Sequence, residues 1–189
     1  KGFFHRLILS VNLALADGVV CGNQKCLDNF KKITNKPLVH IPLAGLDSTT
    51  FKLSVPRSEH DTVTFLFAGA IDYRKGLHIL LPAFKKLLEK IPQARLIIIG
   101  SGTYEKEIDS QIVKLELLIT RFSWVNHSKL IEIMSQSDIF LYPSISHAGW
   151  EEQFGYSMAE ASLMELPVIA THSGSINEIV KDFADKNIP

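Results

Sequence analysis

Two glutamates, Glu152 and Glu160, stand eight positions apart in WEEQFGYSMAEA, residues 150–161. Between them lie Phe154, Gly155 and Tyr156, and Pro143 and Ser144 precede them at the end of an apolar run. The segment reads as a loop followed by a helix that opens near Gly155. The first amides of a helix lack intrahelical partners and carry the positive end of its dipole, so they form an anion site. Glu152 would sit on the loop beside that anion, with Glu160 about two turns further on. A carboxylate so placed can accept two hydrogen bonds from a sugar diol. One loop glutamate, one amide nest and one helix glutamate suit a sugar joined to a nucleoside diphosphate. Most helix glutamates are simply solvated, so the surroundings must carry the case.

A second cluster lies upstream in GAIDYRKG, residues 69–76. Gly69 closes an apolar run, and Arg74 and Lys75 stand where a helix is expected to open. Two cations there could clamp a diphosphate, Arg in fork geometry and Lys as a point charge. A solvated turn with two ordinary surface cations is the commoner case. The next turn, GSGTYE, opens like a dinucleotide fingerprint but carries Glu105 at the third glycine, which excludes a standard NAD or FAD site. Its expected role is a tight turn that lets a ligand approach the backbone. His147 and Trp150 flank Glu152 and are candidates to line a donor-sugar pocket. His127, His147 and His172 lack metal-ligand spacing, and no Asp-x-Asp pair is present, so neither a metal nor a cofactor is expected. A Walker-type phosphate loop, a Gly-x-Ser-x-Gly elbow and a Ser-His-Asp arrangement are not visible.

These residues need a scaffold, and the pattern from Thr62 onward supplies one. TVTFLFAG reads as a buried strand ending in Gly69. A helix follows over residues 75–90, with Leu77, Leu80, Leu81, Phe84, Leu87 and Leu88 on one face. ARLIIIG (94–100), LLITRF, IFLYP and VIAT read as further strands. Helices are expected over 104–115, near 129–135, from Gly155 to Glu165, and from Ser175. Strands that are apolar throughout and alternate with helices predict a parallel sheet covered on both faces. The fold class is therefore α/β, a doubly wound parallel sheet. Ligands of such sheets bind beyond the carboxyl ends of the strands, where Gly69, Gly100, Pro143, Thr171 and the Glu152 loop all fall. Upstream, residues 3–16 look helical, DGVVCG forms a short strand, Asn23 caps a helix to about Ile33, and PLVHIPLAG is extended. VPRSEHD, residues 55–61, reads as a linker.

Composition sets the outer bounds. The 189 residues are 46% apolar and 21% charged, enough to bury a core, and the formal net charge is zero. A neutral surface argues against nucleic acid or an anionic membrane as the main partner. Cys21 and Cys26 have neither redox-motif nor zinc spacing, so reduced, structural thiols and a cytoplasmic chain are expected. No apolar run reaches the length of a transmembrane segment. KGFFHR followed by LILSVNLALA imitates a signal peptide, but Ser10 and Asn12 interrupt it, and a helix of a larger protein is the preferred reading.

Taken together, these motifs resemble glycosyltransferase family 4, retaining enzymes of the GT-B fold that use nucleotide sugars. FAGAIDYRKGLHILLPAF looks like that family's first strand, cationic loop and helix. ARLIIIGSG looks like its second strand and glycine turn, and SDIFLYPS like its fourth strand. EQFGYSMAEASLMELPVIATHSGSINEIV looks like its Glu-x7-Glu region, proline strand and glycine loop. The resemblance implies that Glu160 holds the ribose hydroxyls and that Glu152 contacts the donor sugar. It implies backbone contacts from Phe154, Gly155 and Tyr156, and a diphosphate neutralised by Lys75 with help from Arg74. Glu152, Lys75 and Arg74 would be the catalytic group, Glu152 positioning the donor rather than acting as a nucleophile. The base would meet backbone near Trp124 and Val125. Residues 1–54 look like the end of the family's N-terminal domain and its hinge, and residues 55–189 like a C-terminally truncated donor-binding domain. The implied partners are a UDP- or GDP-linked sugar and an unidentified saccharide or lipid-linked acceptor. Peripheral membrane attachment of a longer protein fits the same resemblance, and exposed apolar residues of the N-terminal piece would admit a homo-oligomer. A truncated chain is expected to bind donor without turning over alone.

Three positions depart from the family pattern. Ala70 stands where Arg usually follows the first-loop glycine, Glu165 replaces the glycine before the last strand, and Ser175 replaces the second glycine after it. They motivate an alternative, a non-catalytic nucleotide-sugar-binding or scaffold module of the same fold. A sugar-nucleotide epimerase or a phosphorylase is a third reading.

Overall fold

Apolar side chains alternate between two faces along each strand, and that alternation builds the sheet. In a computed structural model, which describes residues 2–41, 45–46, 48–53, 61–117 and 119–185, the chain divides into two compact units, Lys1–Gly45 and Leu46–Pro189. The second unit holds five parallel strands, β3 (Thr64–Ala68), β4 (Arg95–Ile99), β5 (Ile119–Phe122), β6 (Ile139–Tyr142) and β7 (Val168–Ala170), in the order β5-β4-β3-β6-β7. Phe65 and Phe67 of β3 enter one buried cluster, with Leu77, Leu81, Phe84, Leu96, Ile98 and Ile108. Leu66 and Ala68 enter the other, with Phe140, Tyr142, Met158 and Ala161. Helices α3 (Leu77–Leu88) and α4 (Glu105–Lys114) supply the first layer; α5 (His127–Ser135), α6 (Tyr156–Leu163) and α7 (Ile176–Asp185) complete the alternation with the strands. The expected doubly wound α/β architecture is the one observed.

The strand order reverses between β3 and β6. Successive crossovers leave β3 toward β4 and β6 toward β7, so their loops part and open a crevice at the carboxyl ends. The loop after β3 carries Arg74 and Lys75, and the loop after β6 carries Glu152. Sequence order alone does not show that these two loops are neighbours; the parallel pairing of β3 with β6 makes them so.

Helix α3 starts at Leu77, later than expected. Residues Tyr73–Lys75 form a 3-10 turn whose first amides are capped by Asp72, and Gly76 then turns left-handed at φ 72°. Arg74 and Lys75 therefore lie on that turn and not in the helix. Helix α5 starts at His127, earlier than expected, because the Asn126 side chain accepts from the Lys129 amide and caps it.

The first unit contains α1 (Gly2–Leu15), β1 (Val19–Cys21), α2 (Gln24–Lys31) and β2 (Leu38–His40). The two strands pair in parallel, and the Asn23 side chain accepts from the Cys26 amide to cap α2. Both cysteines are free thiols. The two units divide after Gly45, ahead of the boundary expected after residue 54: Phe51 is buried in the core of the second unit. The expected 55–61 linker falls, except for Asp61, outside the described residues. Among the described residues, no helix is long and apolar enough to cross a membrane.

Candidate active site

The loop after β3 is held in place by close backbone packing. A Cβ on Gly76 would lie 1.9 Å from the Pro143 carbonyl oxygen, so only glycine lets the turn meet the end of β6. Arg74 then accepts at its carbonyl from the Ile145 amide at 2.7 Å. Its guanidinium donates to both carboxylate oxygens of Asp72, at 3.2 and 2.6 Å, and lies 4.4 Å over the Trp150 ring. The glycine turn after β4 serves the same loop. Cβ atoms on Gly100 and Gly102 would lie 1.9 and 2.3 Å from the carbonyl oxygens of Gly69 and Ile71. The Cβ side of those glycines is filled by the chain's own backbone, while Gly102 and Thr103 of the same turn line an open cleft. Glu105, the residue that broke the dinucleotide pattern, pairs with Arg121 of β5 at 3.0 Å.

Lys75 and Glu152 meet at the crevice. Lys75 Nζ donates to Glu152 Oε2 at 2.6 Å and to the Tyr142 hydroxyl at 3.2 Å. The Tyr142 hydroxyl and Ser144 Oγ donate to the same carboxylate oxygen at 2.7 and 3.2 Å. Glu152 is 7% exposed. Burial alone would push its carboxyl up, but the hydrogen bonds from Lys75, Tyr142 and Ser144 and the Lys75 charge outweigh it and hold the carboxyl below its ordinary value. Burial, then the Glu152 charge and hydrogen bond, push the Tyr142 phenol far up, so it stays a donor. The backbone of Glu152 is fixed as well. Its carbonyl accepts from the Ser175 amide at 2.9 Å, and a Cβ on Gly174 would lie 2.1 Å from that carbonyl. Gly174 adopts φ 56°; Ser175 needs no such freedom, so its departure from glycine is tolerated.

Gly155 precedes α6 at φ 86° and packs against the Tyr142 ring. The helix thus begins one residue beyond the Glu152 loop's last glycine, and its first amides lack intrahelical partners. Glu160 lies in the middle of α6. Burial raises its carboxyl, partly offset by the charge of His127 at the start of α5. Among the described residues, no side chain hydrogen-bonds the Glu160 carboxylate. Val125 and Phe154 pack on the core cluster that carries α6, and Phe154 meets Tyr156 edge-on at 5.0 Å. Glu165 ends this helix at φ 56°, keeping the left-handed conformation that glycine would adopt more cheaply.

The family model of the glycosyl transferases group 1 matches residues 49–188. The chain belongs to this family. The gpi3 subunit of phosphatidylinositol N-acetylglucosaminyltransferase from Schizosaccharomyces pombe is 23% identical over 177 residues, covering 92% of this chain and 38% of that protein. Glycogen synthase from Mycobacterium tuberculosis is 27% identical over 169 residues, covering 87% of this chain and 40% of that protein. The chain thus spans less than half the length of these curated relatives. Among solved structures, Anabaena HepE in complex with UDP and glucose superposes with a TM-score of 0.72 at 22% identity, covering 92% of this chain and 49% of that one. That likeness is one of fold.

Within this group 1 domain, the sequence-identified residues separate into two places. Lys75 and Glu152 touch each other, and Arg74 joins them through Trp150. Gly155 and Tyr156 lie at the start of α6 with Phe154 just before it, Glu160 lies further along the helix, and Val125 packs on the same core cluster. Gly69 closes β3, and its amide donates to the Ile99 carbonyl at 3.0 Å. Sequence reasoning missed Tyr142, Ser144 and Asp72 as partners of the charged groups. Asp72 was findable, since an Asp two residues before Arg can cap the turn that holds it. Tyr142 was not, because its period-two position reads simply as core.

Proposed function

We propose that the chain is the donor-binding part of a retaining glycosyltransferase that moves a hexosyl group from a nucleoside-diphosphate sugar to an acceptor hydroxyl. The Lys75–Glu152 pair at the switch point between β3 and β6 carries this reading. An ammonium has three N–H donors; one goes to Glu152 and one to Tyr142, which leaves a third for a diphosphate oxygen. As the sugar–phosphate bond breaks, negative charge grows on the leaving diphosphate. Lys75 and the first amides of α6 supply a fixed charge and dipoles that lower the energy of that state, and Arg74, its charge offset by Asp72, adds its Nη1 donors. The anomeric carbon becomes oxocarbenium-like. All three side-chain hydrogen bonds to Glu152 converge on Oε2, so Oε1 is assigned to a hydroxyl of the donor sugar, and Glu152 positions the donor. Glu160, with no side-chain hydrogen-bond partner among the described residues, is assigned to the ribose hydroxyls, and backbone near Val125 to the base. No metal or other cofactor is invoked. The acceptor is a saccharide or lipid-linked hydroxyl, and residues 1–45 are assigned to the end of the N-terminal domain of a longer protein.

The crystallised HepE complexes with UDP and glucose and with UDP-glucose favour UDP as the nucleotide to try first. The test is thermal unfolding of the chain with UDP, GDP and ADP and their glucose conjugates. A nucleotide at a hundred times its Kd adds about 2.7 kcal/mol of stability, and one series is expected to do so. No stabilisation by any of them would refute the assignment.

A further inference from the structure

A cleft of about 470 Å3 opens at the carboxyl ends of β3 and β4, with Ala70, Asp72, Tyr73, Arg74, Thr103 and His147 in its lining. Its volume lies in the range of small-molecule sites. Neither Lys75, Glu152 nor Glu160 takes part in it. It nevertheless borders them, because Arg74 lines the cleft while its guanidinium lies on Trp150, whose ring also faces Lys75 at 5.4 Å.

Three properties define what could bind there. First, its one ion pair is internally neutralised: Arg74 and Asp72 meet in a bidentate pair. The cleft therefore offers no net charge to an anion or a cation. Second, its wall carries two aromatic rings, Tyr73 and His147, with His78 and Tyr104 packed on Tyr73. Tyr73 stacks on His78 at 4.3 Å, meets Tyr104 edge-on at 5.6 Å, and packs against His147 at 4.7 Å. Burial lowers the His78 pKa, which favours its neutral ring. His147 is held by a tight hairpin, with Ala148 and Gly149 at positive φ and paired backbone bonds to Trp150 of 3.0 and 2.8 Å. Third, the hydrogen-bonding groups at the rim are unspent. Among the described residues, the hydroxyls of Tyr73 and Thr103 and the ring nitrogens of His147 have no partner, and Arg74 keeps both N–H groups of Nη1.

We propose that this cleft is a saccharide subsite that takes an uncharged sugar ring on the acceptor side of the transfer. An aromatic wall fits the apolar face of a sugar ring, and neutral donors and acceptors around a fixed Arg–Asp pair fit its hydroxyls. The neutralised charge disfavours a phosphate. The assignment to the acceptor rests on the donor-site reading above; the assignment to a sugar does not.

The experiment is a titration of the 15N-labelled chain, with and without saturating UDP, using methyl glucosides, N-acetylglucosamine and inorganic phosphate as probes. A sugar is expected to shift the amides of residues 70–74, 103 and 147 saturably. His147→Ala and Thr103→Val should each raise its apparent Kd by about fivefold, the loss of one contact or hydrogen bond, with the UDP affinity unchanged. Sugar shifts confined to residues 152–160, no sugar binding at all, or stronger shifts of the cleft by phosphate than by any sugar would each overturn the proposal. Sugar shifts at the cleft in a chain that does not bind UDP would support the subsite and refute the donor-site reading instead.

Discussion

Replacing Glu152 by Gln keeps its shape and removes its charge. Lys75 is then left as a cation with 15% of its side chain exposed and only the Tyr142 hydroxyl and two aromatic faces beside it. Breaking one partner of a buried ion pair costs about 3–5 kcal/mol. The amide oxygen still accepts hydrogen bonds, which places Glu152→Gln near the lower end, about 3 kcal/mol. For a chain of this size that corresponds to a fall in Tm of about 6–12 °C. The assay is urea unfolding at constant m-value, run as a double-mutant cycle with Lys75→Met. Because the double mutant removes both charges, it should be less destabilised than the sum of the two single variants by about 2 kcal/mol. The same pair sets a pH dependence. The folded Glu152 carboxyl lies below its ordinary value, so the unfolded chain binds more protons between the two values, and stability rises with pH there. The contribution is full above about pH 4.3 and is lost as pH falls through the folded value. A Glu152→Gln cost below about 1 kcal/mol, or strict additivity in the cycle, would refute the claim that this pair joins the two loops.

Other expectations follow from single contacts. Gly76→Ala places a Cβ 1.9 Å from the Pro143 oxygen at a left-handed φ; a loss of about 3 kcal/mol or more is expected in the same unfolding assay, from backbone strain and overpacking together. Glu165→Gly relieves a left-handed residue at φ 56° and should stabilise the chain by about 0.5–1 kcal/mol, net of the extra freedom of glycine when unfolded. Arg74→Lys loses the bidentate grip on Asp72 and the Trp150 stack, and should weaken UDP binding about tenfold by calorimetry. Because burial raises the Glu160 carboxyl, its charged form is lost at a higher pH than usual, so nucleotide affinity should begin to fall above the ordinary glutamate range as pH is lowered.

Most of the fold was legible because the strands are apolar throughout and punctuated by glycine and proline. TFLFA and RLIII read as buried strands, and the Asn23 cap is a local signal. What was not legible depends on contacts between distant segments. Gly76, Gly102 and Gly174 look alike in sequence, yet each is required by a different carbonyl, at Pro143, Ile71 and Glu152. The glycine turn after β4 reads as a ligand approach, and its Gly102 and Thr103 do line a cleft, but its close packing on the neighbouring loop shows only in the structure. Within the candidate site, Glu152, Lys75 and Glu160 were found by type and spacing. Their states were not: Glu152 is held charged by three donors, while Glu160 is half-buried with none among the described residues, and that difference arises from Lys75 and from Tyr142 and Ser144 at the end of β6. The early start of α5 and the late start of α3 are capping effects, set by one side chain each.

The central claim is that the α6 glutamate holds a nucleotide at this crevice. Calorimetric titration of the chain and of Glu160→Ala with UDP and GDP tests it most directly. The account predicts saturable binding of one of the two, weakened at least about tenfold in Glu160→Ala, with the variant's unfolding unchanged. Binding that is equal in both proteins would contradict the role of Glu160, and no binding of either nucleotide to the intact chain would contradict the donor site.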